Sequence, residues 1–191
     1  MVHPLETEYG LTATELLDAI NRRFRAKVTL EGAVAEVHLG KLIKALVGRK
    51  VVARFQEHDV DGYADYTIWL PGPEEKTCRI ECKNVRDKDE GYRKDGQVVA
   101  FKVETQKTRT SAGDKTSRFY GLNQFEILAV CLGKKTHDWH EFLFIRTTDL
   151  KRHSKHEGKL GVMHRVPLPS GPIQPPWYNC LESLIKELAS D

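Results

Sequence analysis

The sequence DYTIWL at residues 65–70 and the sequence TCRIECK at residues 77–83 decide the fold of this chain. The first stretch is rich in β-branched and aromatic residues. In the second, apolar and charged residues alternate, a period of two that is typical of a strand with one apolar and one charged face. The PGPEE sequence at residues 71–75 is a strong turn signal between them. We therefore predict a β-hairpin over residues 64–84.

The pattern on either side of the hairpin predicts a mixed α/β protein. Thr12-x-x-Glu15 has the spacing of a capping box and indicates the start of the first helix. Periodicity and turn signals then predict the remaining elements. The predicted helices are 12–26, 32–47, 122–132 and 178–189, and the predicted strands outside the hairpin are 51–55, 98–105 and 141–145. With 98–105 set aside as an added strand, the order from residue 32 onward is helix, three strands, helix, strand, with one more helix before it and one after.

The hairpin brings together three residues whose side chains suit catalysis and metal binding. Asp65 stands at the start of one strand, and Glu81 and Lys83 lie two residues apart on its partner, so that their side chains share a face. Carboxylate oxygens are the ligands that Mg²⁺ prefers. A metal there can polarise a phosphate and acidify a bound water, while the lysine orients or deprotonates that water and offsets developing charge. The set is therefore a candidate site for phosphodiester hydrolysis.

The Glu-x-Lys triplet is weak evidence by itself. Three such triplets occur in the chain, and its composition predicts about one or two by chance. Only Glu81 and Lys83 lie on a strand whose hairpin partner begins with a carboxylate, Asp65. The alternative is an exposed cross-strand or same-face Glu–Lys pair that contributes about 0.2–1 kcal/mol of stability and performs no chemistry.

Asp65, the hairpin spacer and the sequence Glu81-Cys82-Lys83 resemble the signature of the PD-(D/E)XK nuclease superfamily. The resemblance covers residues 32–146, and it departs from the pattern in having Ala64 where a proline often precedes the aspartate. It implies a restriction-endonuclease-like αβββαβ core, a central mixed sheet flanked by helices, with an additional helix at each end of the chain. It also implies that Asp65, Glu81 and the Cys82 carbonyl bind Mg²⁺ and that Lys83 is the catalytic lysine.

The same resemblance suggests a further acid and a division of the chain. Members often carry an additional metal-binding acid on the first core helix, and Glu36 lies there. We expect a single nuclease domain over residues 1–191. It would consist of an N-terminal helical extension at 1–31, the catalytic core at 32–146, and a basic loop, proline-rich connector and C-terminal helix at 147–191.

A basic segment follows the hairpin. Lysine and arginine outnumber acids between residues 83 and 118, where short hydrogen-bond donors are interleaved with the cations. This mixture suits a phosphate backbone, although for any single cation a solvated loop is the better interpretation. The predicted DNA-binding residues are Gln106, Lys107, Arg109, Lys115 and Arg118. A second group of cations, within residues 146–165, could extend the same groove.

Composition bounds the remaining possibilities. A chain of 191 residues that is 40% hydrophobic can bury a core, and it has no apolar run long enough for a membrane span. The N-terminal residues lack a signal-peptide pattern, so we expect a cytoplasmic protein whose cysteines are buried thiols. The net charge of +3 neither requires nor excludes a polyanionic partner. The cysteines are Cys78, Cys82, Cys131 and Cys180.

Two histidine pairs have a spacing that zinc sites use. They are His137-x-x-His140 and His153-x-x-His156. The first pair lies at the entrance to a predicted strand, where residues three apart face opposite ways, so ordinary solvated or DNA-facing histidines are the favoured interpretation. Nucleotide-binding loops and serine-hydrolase elbows are absent from the sequence.

The sequence thus predicts a Mg²⁺-dependent endonuclease that cuts double-stranded DNA. The small size, without a separate target-recognition domain, looks most like a type II restriction endonuclease, and by that resemblance the protein would act as a homodimer. Three alternatives remain: a DNA repair or recombination nuclease of the same fold, a non-catalytic nucleic-acid-binding module, and a zinc-stabilised structural protein.

Overall fold

A computed structural model describes residues 2–60, 62–87, 91–107 and 113–190, except for the side chains of residues 115 and 190. The chain divides into two compact units, residues up to 34 and residues from 35 onward. The helices in the described ranges are α1 (Pro4–Tyr9), α2 (Ala13–Asn21), α3 (Phe24–Gly48), α4 (Gly133–Thr136) and α5 (Leu181–Ser190). The strands are β1 (Arg54–Glu57), β2 (Tyr66–Trp69), β3 (Thr77–Asn84), β4 (Gly91–Lys94), β5 (Gln97–Glu104), β6 (Ile127–Cys131), β7 (Phe142–Arg146), β8 (Met163–Val166) and β9 (Trp177–Tyr178).

The N-terminal helices start where the capping signal predicts but end differently. The Thr12 side chain accepts a hydrogen bond from the Glu15 backbone N–H, and the Glu15 carboxylate accepts one from the Thr12 backbone N–H, which confirms the capping box. The single helix expected over 12–26 is wrong, because α2 ends at Asn21 and α3 begins at Phe24. None of the described residues before Ala35 is buried. The apolar pattern therefore detected only the buried part of α3 and missed its first turns.

The central sheet has the strand order β1-β2-β3-β6-β7-β9. Strands β2 and β3 form the predicted hairpin, with Tyr66 opposite Ile80 and Ile68 opposite Cys78. Strand β6 lies parallel to β3, and the other neighbours are antiparallel. A mixed sheet with helices before and after it confirms the predicted fold class.

The helix expected at residues 122–132 is wrong. Residues 127–131 form β6, a central strand whose residues are all buried. Ile127, Ala129 and Cys131 face one hydrophobic cluster, and Leu128 and Val130 face another. Because both faces of the strand are covered, its sequence has no alternation, and a continuous apolar run does not distinguish a buried strand from a buried helix.

A second sheet combines two strands of the connection between β3 and β6 with one strand that follows β7. Strands β4, β5 and β8 form this sheet, in the order β4-β5-β8. Strand β5 matches the strand predicted at 98–105, and β7 and α5 match the predicted elements at 141–145 and 178–189. The first predicted strand lies about three residues later than expected, at Arg54–Glu57.

Helix α3 is held close to the hairpin by a glycine. The Tyr66 hydroxyl donates a 2.9 Å hydrogen bond to the backbone carbonyl of Glu36. A Cβ atom at Gly40 would lie 2.6 Å from the same hydroxyl, so a larger residue would displace the Tyr66 ring. Glycine therefore allows the close approach that brings Glu36 over the hairpin.

Two further observations bear on the composition. In the described ranges, no helix is both long and apolar enough to span a bilayer. The four cysteines are free thiols, of which Cys78, Cys82 and Cys131 are buried as expected and Cys180 is exposed.

Candidate active site

The hairpin places the predicted triad at one site. Asp65 directly precedes β2, and Glu81 and Lys83 lie on β3, two residues apart and therefore on the same face. Ile80 and Cys82 alternate with these two residues along β3. They point to the opposite face and pack into the hydrophobic core beneath α3. Burial of these neighbours fixes the orientation of the strand and hence of the two functional side chains.

Asp65 is anchored and half-buried. Its Oδ2 accepts a 2.7 Å hydrogen bond from the backbone N–H of Cys82. Burial and the nearby negative charge of Glu81 raise the pKa of Asp65 to about 7, against the opposing effects of Lys83 and the Cys82 hydrogen bond. Two carboxyl groups therefore share a space in which their charges repel each other.

Glu81 is almost completely buried, with 3% of the residue exposed. One carboxylate oxygen, Oε1, accepts hydrogen bonds from the Lys83 ammonium and from the Tyr120 hydroxyl. The second oxygen, Oε2, has no donor among the described residues. Both donors thus hold the carboxylate in one orientation and leave an oxygen free for another ligand.

Lys83 is a cation in this arrangement. Burial alone would lower the pKa of its amine, but Glu81, Tyr120 and Asp65 outweigh that effect and raise the pKa. The ammonium also donates a 3.1 Å hydrogen bond to the Cys82 carbonyl. A quarter of the side chain remains exposed, so the amine is accessible from the cleft.

The triad opens into a cleft of about 420 Å³. The lining residues are Glu36, His58, Asp59, Val60, Gly62, Tyr63, Ala64, Asp65, Glu81, Lys83, Gln106, Lys107, Tyr120 and Gln124. This set contains all four acidic and basic residues that the sequence assigned to catalysis and metal binding. It also contains two of the predicted DNA-binding residues.

Glu36 lies in the wall of the cleft and is half-buried. Burial, with the charge of Glu81, raises the pKa of its carboxyl group, and Lys83 opposes this shift. Within the described ranges, no group of three His, Cys, Asp or Glu side chains is close enough to hold a metal ion. A metal site here would therefore rest on the Asp65 and Glu81 carboxylates, the Cys82 carbonyl and water, and Glu36 stays a predicted ligand.

The basic segment contributes its first residues to the cleft. Gln106 and Lys107 line it, and the Arg118 guanidinium donates a 3.2 Å hydrogen bond to the Lys107 carbonyl. Arg109 and the side chain of Lys115 lie outside the described residues. The structure thus places Lys107 in the same cleft as the triad. Arg118 contacts the backbone of Lys107.

Tyr120 is the functional candidate that sequence reasoning missed. It lies 39 residues after Glu81, and no motif joins the two. Its only sequence signal was an aromatic residue directly after the basic segment. His58, another cleft residue missed in the sequence, has its Nε2 atom 2.9 Å from the Thr67 hydroxyl.

The histidine pairs lie outside this cleft. His140 is exposed beside Asp138 and packs against His38, with ring centroids 4.3 Å apart. The ring centroids of His153 and His156 lie 4.6 Å apart, and both rings contact the ring of Phe119.

Comparison with known proteins gives one structural likeness. No protein-family profile and no curated protein matches the chain. A solved structure, that of the bacterial homing endonuclease I-Ssp6803I, is similar with a TM-score of 0.49 and 14% sequence identity, over 85% of this chain and 95% of the other. At this level of likeness, the activity of that protein does not extend to this chain.

Proposed function

We propose that this chain is a Mg²⁺-dependent endonuclease that hydrolyses DNA phosphodiester bonds with water. The observation that carries the proposal is the meeting of Asp65, Glu81 and Lys83 in one cleft whose wall includes Lys107. Paired carboxylates with a neighbouring amine suit metal-assisted phosphodiester hydrolysis, and a cation at the rim suits a polyanionic substrate.

The residues of the cleft fit a magnesium ion. Asp65 and Glu81 are held together despite their repulsion, and Oε2 of Glu81 has no donor among the described residues. A divalent cation would neutralise both carboxylates, and the Cys82 carbonyl supplies another hard oxygen. Bound Mg²⁺ would supply polarisation of a phosphate oxygen and a bound water of lowered pKa.

The protein's own groups account for the other requirements of hydrolysis. The Lys83 ammonium, next to Glu81 and partly exposed to the cleft, can orient an attacking water and stabilise negative charge that develops on the phosphate. Lys107 can hold the phosphate backbone in register with the carboxylates.

Supercoiled plasmid DNA tests the proposal. We expect the wild-type protein to cut the plasmid in Mg²⁺ and to bind it without cutting in Ca²⁺. In excess EDTA the plasmid should stay intact. Absence of cutting in Mg²⁺ with intact DNA binding would favour the non-catalytic nucleic-acid-binding module. Cutting at a fixed sequence would support a type II restriction endonuclease, whereas cutting set by DNA structure would support a repair or recombination nuclease.

Lys107→Ala is expected to weaken DNA binding equally for all sequences. Lys107 is proposed to contact phosphate, and loss of one such contact should reduce the slope of log affinity against log salt by about one. Fluorescence anisotropy in Ca²⁺ at several salt concentrations measures both quantities. Lys44→Ala, at an exposed lysine that does not line the cleft, is the control. A changed sequence preference with an unchanged slope would mean that Lys107 reads bases.

The proposal includes a homodimer, because two cleavage sites address two DNA strands. Large apolar side chains are exposed throughout the first unit, including Leu17 and Phe24. The charges of residues 2–27 are segregated along the chain, since the residues before position 22 carry acids and residues 22–27 carry cations without acids. Two copies in antiparallel orientation would pair acid with base while covering the apolar side chains.

Phe24→Asp is expected to convert the dimer to a monomer, because it places a charge among the apolar side chains of the interface. Sedimentation velocity at micromolar concentration measures the change. Val99→Asp, at an exposed apolar residue of β5, should leave the dimer intact. A wild-type protein that sediments as a monomer would contradict the dimer, and equal dissociation by both variants would contradict its assignment to the first unit.

A further inference from the structure

Tyr120 is a buried side chain in the wall of the cleft. It is 7% exposed, and its ring packs edge-on against Phe125 with centroids 5.3 Å apart. Its backbone carbonyl accepts a 2.9 Å hydrogen bond from Leu160, which ties this part of the chain to the loop before β8. The Tyr120 ring is therefore held by packing against Phe125 and by a backbone anchored to Leu160.

The Tyr120 side chain lies close to three charged groups of the cleft. Its hydroxyl donates to Oε1 of Glu81, the oxygen that also accepts from Lys83. The Lys83 and Lys107 ammonium nitrogens lie 5.5 and 5.8 Å from the centroid of its ring, within the range of cation–π attraction. One aromatic side chain thus connects a carboxylate, the triad lysine and the lysine proposed to bind phosphate.

From this geometry we infer that Tyr120 is a positioning residue that fixes the Glu81 carboxylate for metal binding. By occupying Oε1 it directs the free oxygen, Oε2, toward the ligand, and by its ring it sets the separation of Lys83 and Lys107. The inference rests on the proposed function for the identity of the ligand as a hard divalent cation. It assigns no bond-making step to the tyrosine.

The competing explanation is that Tyr120 only fills the core and satisfies its own hydroxyl. Both explanations predict some loss of stability when the hydroxyl is removed, since a buried hydrogen bond disappears in either case. Only a positioning role predicts a change in metal affinity. Groups that orient metal ligands typically contribute 10- to 100-fold to affinity or activity.

Tyr120→Phe separates the two explanations, because phenylalanine keeps the ring packing against Phe125 and removes only the hydroxyl. We expect the variant to fold, to bind Ca²⁺ roughly 10- to 100-fold more weakly by calorimetry, and to require correspondingly more Mg²⁺ for half-maximal cleavage. Cleavage at saturating Mg²⁺ should recover most of the wild-type rate, since Asp65, Glu81 and Lys83 remain in place.

The chain contains a matched control. The Tyr178 hydroxyl donates a 2.7 Å hydrogen bond to Glu187, a second tyrosine–carboxylate pair that does not line the cleft. Tyr178→Phe should leave the Ca²⁺ affinity and the Mg²⁺ requirement unchanged. Thermal denaturation of both variants without metal shows how much stability each hydroxyl contributes.

The outcomes distinguish this inference from the proposed function. Equal Ca²⁺ affinity in wild-type and Tyr120→Phe protein would overturn the positioning role, even if the wild type cuts DNA. A wild type that binds Ca²⁺ but never cuts would overturn the proposed function, while weaker Ca²⁺ binding by the variant would still support the role of Tyr120. A wild type that binds no divalent cation would overturn both.

Discussion

Asp65→Ala and Glu81→Gln are each expected to abolish DNA cleavage while leaving DNA binding largely intact. Both substitutions remove a negatively charged oxygen ligand from the proposed metal site, and neither removes a phosphate contact. Glutamine at residue 81 keeps the length of the side chain and an acceptor for Lys83 and Tyr120. Alanine there would leave the buried Tyr120 hydroxyl without its acceptor, at a cost of about 1–3 kcal/mol, while the Lys83 ammonium would keep the Cys82 carbonyl.

Two measurements define this result. Single-turnover cleavage in Mg²⁺, with enzyme in saturating excess over DNA, gives the cleavage rate. Fluorescence anisotropy in Ca²⁺ gives the DNA affinity. Glu126→Gln is the matched control, because Glu126 also accepts hydrogen bonds within the sheet, from Arg79, but does not line the cleft. Cleavage at the wild-type rate by either cleft variant would show that the site is wrongly assigned.

Lys83→Ala is expected to lower the cleavage rate by about 10²- to 10³-fold, the contribution of a positioned donor that stabilises charge in the transition state. Lys83→Arg is expected to bind DNA and to cut poorly. Arginine keeps the positive charge, but its planar guanidinium is wider than an ammonium and cannot occupy the same space between Glu81 and the Cys82 carbonyl. The two variants together separate a positional requirement from a requirement for charge alone.

Single-turnover cleavage at saturating enzyme also measures the lysine variants. Lys134→Ala removes another partly buried lysine, paired with Asp87 at 3.0 Å outside the cleft, and should cut like the wild type. If Lys83 only paired with Glu81, its replacement would cost about 1 kcal/mol of stability or less and leave cleavage normal. Wild-type turnover by Lys83→Arg would contradict the proposed role of this amine.

The hairpin and the triad could be predicted because they depend on local signals. Alternation along residues 77–83 identifies β3 and its two faces, and the turn at 71–75 fixes its partner. Once the pairing is known, Asp65, Glu81 and Lys83 must lie together. The strand period alone thus predicts that the three side chains meet. The resemblance to the PD-(D/E)XK superfamily then suggests what chemistry they perform.

The missed elements lack such signals. Strand β6 is covered on both faces, so its apolar run was predicted as a helix, and two strands of the second sheet, β4 and β8, were not predicted. Helix α3 begins at Phe24, eight residues before the predicted start. The pattern missed these residues because none of the described residues of α3 before Ala35 is buried. Periodicity records burial, so an exposed helical segment leaves no pattern to detect.

Tyr120 could not be predicted for a different reason. Its hydrogen bond to Glu81 joins residues far apart in the chain, and it depends on how the segment before β6 passes over the hairpin. Contacts of this kind arise from tertiary packing and have no fixed spacing. Part of the apparatus that orients the carboxylate was therefore visible only in the structure.

Plasmid cleavage in water enriched in oxygen-18, followed by mass spectrometry of the new DNA ends, tests the central claim most directly. Hydrolysis by water in the cleft predicts breaks only when Mg²⁺ is present, with oxygen-18 incorporated into the terminal phosphate of each new end. It also predicts that no DNA remains covalently attached to the protein. Breaks that form equally in excess EDTA, or phosphate ends without oxygen-18, would contradict the account.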